Sequence, residues 1–156
     1  MRVNCESDVM FVCSVGGHLT QTLVLINRML QLKEFEYTVV LNDNFSNHSL
    51  INNRVHKIYH AERNLWQVLN VIEAFRLLYK LRPKVIISTG AAPGVVFTFI
   101  GKYFFGSKTI FIESISRVKT PSLSAKLAYR FVDKFYYQWE SLSEIFPKGS
   151  YKGKLL

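Results

Sequence analysis

Ser14-Val15-Gly16-Gly17-His18 and Ser88-Thr89-Gly90-Ala91-Ala92-Pro93-Gly94 hold the residues of this chain best suited to chemistry. Each follows an apolar run, Val9-Met10-Phe11-Val12-Cys13 in one case and Val85-Ile86-Ile87 in the other. Glycines at the carboxyl end of a parallel strand let the backbone close on a ligand, and the helix that follows points free N–H groups at any anion there. A histidine at such a helix N-terminus can hydrogen-bond a phosphate or take a proton from a hydroxyl. The positive helix end disfavours imidazolium, which keeps His18 a neutral base near pH 7. Glu113-Ser114 follows Phe111-Ile112. Glu113 is therefore expected in the same crevice, since ligands of open parallel sheets bind at strand carboxyl ends. Two plainer readings compete: His18 as a satisfied buried imidazole, and Glu113 as a helix cap.

Other chemistries fit less well. The first loop lacks the third glycine of a dinucleotide fingerprint, although Asp43, after the second strand, could imitate its ribose-binding acid. No Gly-Lys-Ser/Thr follows either loop, so a Walker-type phosphate loop is excluded. No metal is expected: His18, His48, His56 and His60 lack ligand spacing, and no Asp-x-Asp occurs to chelate a metal diphosphate. Cys5 and Cys13 do not form a disulfide framework, and Cys13 falls in a strand where a thiol behaves as a small hydrophobe.

The elements that must position these residues alternate. Strands are predicted at 8–14, 37–42, 55–59, 84–89, 108–112 and 134–138, and helices at 18–32, 64–82, 94–105 and 121–131, with Pro121 in a first helical turn. This order reads as an α/β fold, a Rossmann-like doubly wound parallel sheet in one domain over 1–156. Asn42–Asn53 is the longest loop. Two helices are greasy: Leu65, Trp66, Leu69, Ile72, Phe75, Leu78 and Tyr79 stripe the second, and Val95 to Phe105 leave the third little polar face. Such helices cover a sheet, rest on lipid with Lys80, Lys102 and Lys108 near headgroups, or do both.

Charge is uneven. Residues 1–75 carry six Lys/Arg against seven Asp/Glu, and residues 76–156 carry fourteen against four, so the anionic partner faces the second half. Phosphorylated ligands, nucleic acid and anionic membranes all meet that condition. Phe and Tyr fall mainly at core-like positions, which argues against a single-strand nucleic-acid platform. Asn4, Glu6 and Asp8 interrupt any signal pattern, and no apolar run reaches the roughly 18 residues of a spanning helix. The expected location is cytoplasmic.

A longer series of residues carries a family resemblance. It comprises Ser14-x-Gly16-Gly17-His18, Ser88 to Gly94, Phe111-Ile112-Glu113-Ser114-Ile115-Ser116-Arg117-Val118, Pro121-Ser122-Leu123-Ser124, Asp133, Gln138-Trp139 and Pro147-x-x-x-Tyr151-x-Gly153-x-Leu155-Leu156. Over nearly its whole length the chain resembles the asparagine-linked glycosylation protein fourteen family, in particular its bacterial capsule and exopolysaccharide relatives. The resemblance implies the N-terminal half of a GT-B glycosyltransferase, similar to the enzyme that adds N-acetylglucosamine to the lipid-linked peptidoglycan precursor. Two departures from the family pattern are read here: no N-terminal anchor of the kind eukaryotic members carry is expected, and Ala125 replaces a glycine usual in the family.

By that resemblance the function is to bind a polyprenyl-diphosphate-linked acceptor at the inner membrane face and to recruit a separate subunit. That partner carries the UDP-sugar site, so no cofactor is expected here, and the chain alone is inactive. Gly16, Gly17, Gly90, Ala91, Ala92, Gly94 and Arg117 are expected to hold the acceptor diphosphate, with His18 and Glu113 catalytic as base or as base and orienting group. The C-terminal residues Gly153 to Leu156 are expected to dock the partner. The alternative is a non-catalytic scaffold that only anchors and activates that partner.

Overall fold

The computed structural model describes residues 8–42, 55–58 and 67–156. Its strands are β1 (Val9–Ser14), β2 (Tyr37–Asn42), β3 (Val55–Ile58), β4 (Val85–Ser88), β5 (Lys108–Ile112), β6 (Lys134–Tyr137) and β7 (Ser150–Tyr151). The helices are α1 (Gly17–Leu32), α2 (Gln67–Leu81), α3 (Ala91–Phe105) and α4 (Leu123–Ala128). The strands form one parallel sheet in the order β3-β2-β1-β4-β5-β6-β7. Successive strands are added in one direction from β1 to β3 and in the other from β4 onward, so β1 and β4 bound the switch point where open α/β sheets place ligands. The two glycine loops flank that point.

Alternation along β1 explains why both faces are covered. Val9, Phe11 and Cys13 turn to one side and pack with Leu19 and Ile26 of α1 and Val39 and Leu41 of β2. Met10 and Val12 turn to the other and pack with Ala74, Leu78 and Leu81 of α2 and Phe97 and Ile100 of α3. Strand side chains point alternately up and down, so a strand apolar at every position must be buried on both faces. A third cluster, built on Phe111, Phe135, Leu142 and Phe146, covers the β5–β6 end.

Two helices differ in their bounds from expectation, and one strand is additional. Helix α3 begins at Ala91, not at 94, so Pro93 falls inside its first turn, where its missing N–H has no intrahelical acceptor to serve. Helix α4 is only six residues long and starts after Pro121, because Ser122 caps it with a side-chain oxygen accepting from Ala125 N. Strand β7 was not anticipated: two exposed residues carry no periodic signal, and only the free edge of β6 selects them. Asp43, the Asn42–Asn53 loop beyond Asn42, Cys5, His48, His60, Leu65 and Trp66, and the side chain of Leu69, lie outside the described residues.

The greasy helices divide their surfaces. Helix α2 buries Ala74, Leu78 and Leu81 but exposes Ile72, Phe75 and Tyr79, and α3 exposes Phe99, Tyr103 and Phe104. Phe75 packs edge-on against Phe104, and Phe99 against Phe131, so the exposed rings form a continuous patch with a groove of about 600 Å³. Arg76 and Arg130 border it. Lys102, expected to face headgroups, is instead tied to Asp133 at 2.6 Å and to the Phe131 carbonyl.

Candidate functional site at the carboxyl edge of the sheet

Gly16 opens α1 with φ 80° and ψ −139°, a conformation that side chains resist, and no atom lies within 4 Å of where its Cβ would sit. The requirement there is backbone conformation alone. The first turn of α1 has no side-chain cap and no acidic residue, which leaves its N–H groups facing the exposed Gly16-Gly17 loop. His18 is the second residue of this turn and is half-buried.

The ring of His18 is held from the neighbouring loop. Its Nδ1 lies 2.7 Å from the Thr89 carbonyl. A carbonyl only accepts, so the proton sits on Nδ1, and Nε2 of the neutral ring carries the free lone pair. Thr89 Oγ1 and Thr22 Oγ1 both donate to the His18 carbonyl, at 3.1 and 2.9 Å, and the two hydroxyls lie 2.8 Å apart. Gly90 completes the seat. At φ 125° it occupies a region open to glycine, and a Cβ there would come within 2.5 Å of His18 Cε1. Gly90 is thus required twice, by its backbone and by the ring stacked on it.

The rest of the second loop divides in role. Ala91 is left-handed at φ 67°, and Ala92 is exposed beside it at the start of α3. Gly94, expected to line an anion site, is buried, and the side on which a Cβ would stand meets Ser88 Oγ at 1.9 Å. Its smallness lets α3 approach β4.

Glu113 is 1% exposed, at the end of β5. One carboxylate oxygen accepts from Ser114 N at 2.8 Å, the other from Ser122 N at 2.8 Å, and Ser122 Oγ reaches both at 3.0 and 3.1 Å. Glu113 therefore gathers both ends of the 114–122 loop and orients the serine that caps α4. No hydrogen bond among the described residues joins it to His18. The competing expectation of a cap is met at one remove, through Ser122. Arg117 lies on the exposed part of this loop.

Sequence reasoning missed four residues here: Gln21, Thr22, Ser122 as the bond partner of Glu113, and the bonding of Gln138. Gln21 and Thr22 sit on the buried side of α1 with Leu19 and Ile26, at 1% exposure each. Polar residues at buried helical phase need partners, and that was the available signal. Burial also pushes the thiol of Cys13 up to about 11, partly offset by a hydrogen bond to Thr22.

Several known proteins resemble this chain. Residues 9–155 match the family described as oligosaccharide biosynthesis protein Alg14 like. The UDP-N-acetylglucosamine transferase subunit ALG14 of Yarrowia lipolytica is 33% identical over 88 residues, covering 53% of this chain and 41% of that protein. The human protein of the same name is 30% identical over 90 residues, with the same coverage of 53% and 41%. The chain thus spans about two fifths of the length of these curated relatives. Among solved structures, MurG of Acinetobacter baumannii superposes with a TM-score of 0.71 at 12% identity, over 93% of this chain and 44% of that one. The UDP-GlcNAc 2-epimerase of Methanocaldococcus jannaschii gives 0.67 at 12% identity, over 90% and 42%. At such identity the likeness is one of fold, the α/β sheet of a GT-B N-terminal domain. With a family match running from β1 to the C-terminal tail, the chain belongs to the Alg14-like family of oligosaccharide biosynthesis proteins.

Proposed function

We propose that this chain is the acceptor-binding subunit of a two-part UDP-sugar transferase that extends a polyprenyl-diphosphate-linked saccharide in capsule or exopolysaccharide synthesis. The carrying observation is the bond from His18 Nδ1 to the Thr89 carbonyl, which leaves Nε2 as an acceptor at the sheet's switch point. In the reaction, Nε2 takes the proton of the acceptor hydroxyl as that oxygen forms a bond to the anomeric carbon. The bond from the anomeric carbon to UDP breaks on the opposite side, and UDP leaves with the electron pair. Inversion at that carbon follows from in-line displacement.

The N–H groups of the Gly16-Gly17 turn, the Ala91-Ala92 turn and Arg117 hold the acceptor diphosphate, and Glu113 acts by fixing the loop that carries Arg117. The nucleotide site belongs to a second polypeptide. The naming of the matched Yarrowia lipolytica and human relatives as subunits of a UDP-N-acetylglucosamine transferase supports this division. The aromatic patch of α2 and α3, bordered by Arg76 and Arg130, rests on the inner membrane face, where rings enter the interface and cations meet anionic headgroups. No helix among the described residues is long and apolar enough to cross a membrane.

The test is transfer by the complex of this chain with its partner subunit, using UDP-N-acetylglucosamine and membrane acceptor. His18→Gln is expected to lower kcat by about 10²–10⁴-fold, the usual worth of a general base, with complex formation intact. Unchanged turnover in that variant refutes the base. Silence of both His18 and Glu113 variants, with activity lost on altering the α3 surface, establishes the scaffold reading instead.

A further inference from the structure

Two glutamines buried behind the site make bonds that the proposed chemistry does not use. Gln21, on α1, is 1% exposed, and Gln138, just after β6, is 2% exposed. Gln138 Nε2 donates to Gln21 Oε1 at 2.6 Å and to the Glu113 carbonyl at 2.9 Å. Gln21 Oε1 also accepts from Ile115 N at 3.2 Å, and its Nε2 donates to the Gly17 carbonyl at 3.1 Å. Gln138 Oε1 accepts from Leu155 N at 2.8 Å, in the C-terminal tail. Four segments far apart in sequence therefore meet on two side-chain amides: the first turn of α1, the loop after β5, the end of β6 and the tail.

The orientation of each amide is dictated by backbone. Gly17 and Glu113 offer carbonyls, which only accept, and Ile115 and Leu155 offer N–H groups, which only donate. Each glutamine must supply a donor and an acceptor in one fixed sense, which neither glutamate nor leucine can do. The tail is seated further by Leu155 packing on the cluster around Phe11 and Cys13, and by Lys154 Nζ 3.7 Å over the Trp139 ring. Trp139 Nε1 in turn donates to the Ile115 carbonyl. The tail and the 113–117 loop are thus held by the same pair of residues, 138 and 139.

We propose that Gln21 and Gln138 are positioning residues, a tether that sets the first turn of α1, and with it His18, against the 113–117 loop, and that the seated tail is part of this tether. Bond by bond, tail release frees Gln138 Oε1. An amide with one end free relaxes, and the Gly17 and Ile115 backbones lose their common reference. Its catalytic consequence rests on the function proposed above. The tether itself does not.

The experiment has two arms. In the first, amide hydrogen exchange is read residue by residue on the full chain carrying Gln21→Leu, Gln138→Leu or both. Gln21→Leu is expected to speed exchange at Leu155 at least tenfold, although the two residues share no bond. Unchanged protection of Leu155 overturns the tether. In the second, the complex with the partner subunit is assayed for transfer. Removing both amides deletes their shared bond only once but leaves the Glu113 carbonyl and the Ile115 and Leu155 N–H groups without these partners, so the double variant is expected to melt lowest, by less than the sum of the two single losses. Assayed well below its melting temperature, each variant should keep kcat at least tenfold down with the KM for UDP-N-acetylglucosamine unchanged. Wild-type kcat under those folded conditions overturns the positioning role and leaves only a structural one. Should the buried variants fail to fold, Leu155→Pro removes the tail's N–H donor together with its leucine packing, with neither glutamine altered, and is expected to lower kcat in the same way; wild-type turnover there overturns the tail's part. Absence of transfer by the wild-type complex refutes the proposed function, and the exchange arm still decides the tether.

Discussion

Gly90→Ala tests the site's geometry through a single methyl group. Gly90 stands at φ 125° and ψ −169°, a region essentially reserved for glycine, and forcing an L-residue there costs about 1–3 kcal/mol. The added Cβ would lie 2.5 Å from His18 Cε1 and 2.8 Å from Nδ1. Carbon atoms pack at about 3.5–4.0 Å, so the ring must retreat by roughly 1 Å or more. The bond from Nδ1 to the Thr89 carbonyl, now 2.7 Å, does not survive that shift. Its loss adds about 0.5–1.5 kcal/mol, for a total of about 1.5–4.5 kcal/mol. A displacement of about 1 Å in a catalytic group costs on the order of 10²-fold in rate. Gly16→Ala is the control: at φ 80° it meets backbone strain, but nothing within 4 Å, so it should cost about 1–3 kcal/mol and leave the ring in place. Urea unfolding gives the stabilities, ¹⁵N shifts of the imidazole give the His18 tautomer, and transfer assays give the rates. A Gly90→Ala protein that keeps the Nδ1–H tautomer and the wild-type rate refutes the argument that this glycine seats the base.

Three further outcomes are expected. Glu113→Gln replaces a carboxylate that accepts from Ser114 N, Ser122 N and Ser122 Oγ by an amide with one acceptor, and should lower stability to urea by about 1–3 kcal/mol; an unchanged midpoint refutes the clamp. Cys13 should resist alkylation in the native protein at pH 8, as followed by peptide mass spectrometry. Its folded value is raised to about 11, so the neutral thiol's contribution is complete below the ordinary thiol value, near 9, and is lost as pH rises from there toward about 11. Flat stability across that window counts against it. Phe99→Ser combined with Phe104→Ser should abolish flotation with anionic vesicles while lowering the melting temperature only slightly, since both rings are largely exposed and belong to none of the core clusters; full flotation refutes the membrane face.

Much of the fold was legible because its strands are short, apolar and separated by helices of clear period. β1 to β6 and three of the helices fall where alternation and the glycine loops put them, α3 starting three residues early. What escaped lacks a local signal. β7 exists because β6 offers an edge to pair with, and α4 starts only at Leu123 because Ser122, held by Glu113, caps it. In the site, His18, Gly16 and Gly90 could be picked by residue type and loop position. The burial of Gly94 and the clamp made by Glu113 could not, since each depends on which atom lies opposite.

The sequence by itself determined which loops carry chemistry, because glycine's freedom at φ 80° and φ 125° and the placement of an imidazole at a helix start are local properties. It also determined the family, through motifs spread along the chain. Only the tertiary structure decided the tautomer of His18, the retreat of Glu113 into a loop clamp, and the meeting of Gly17, Glu113, Ile115 and Leu155 on two glutamine amides. Most of those outcomes rest on bonds that reach well along the chain, 9 residues from Glu113 to Ser122, 71 from His18 to Thr89 and 117 between the two glutamines, with direction set by which group faces each side chain. Local pattern holds no record of such pairings; the sheet that brings β1, β4, β5 and β6 side by side creates them.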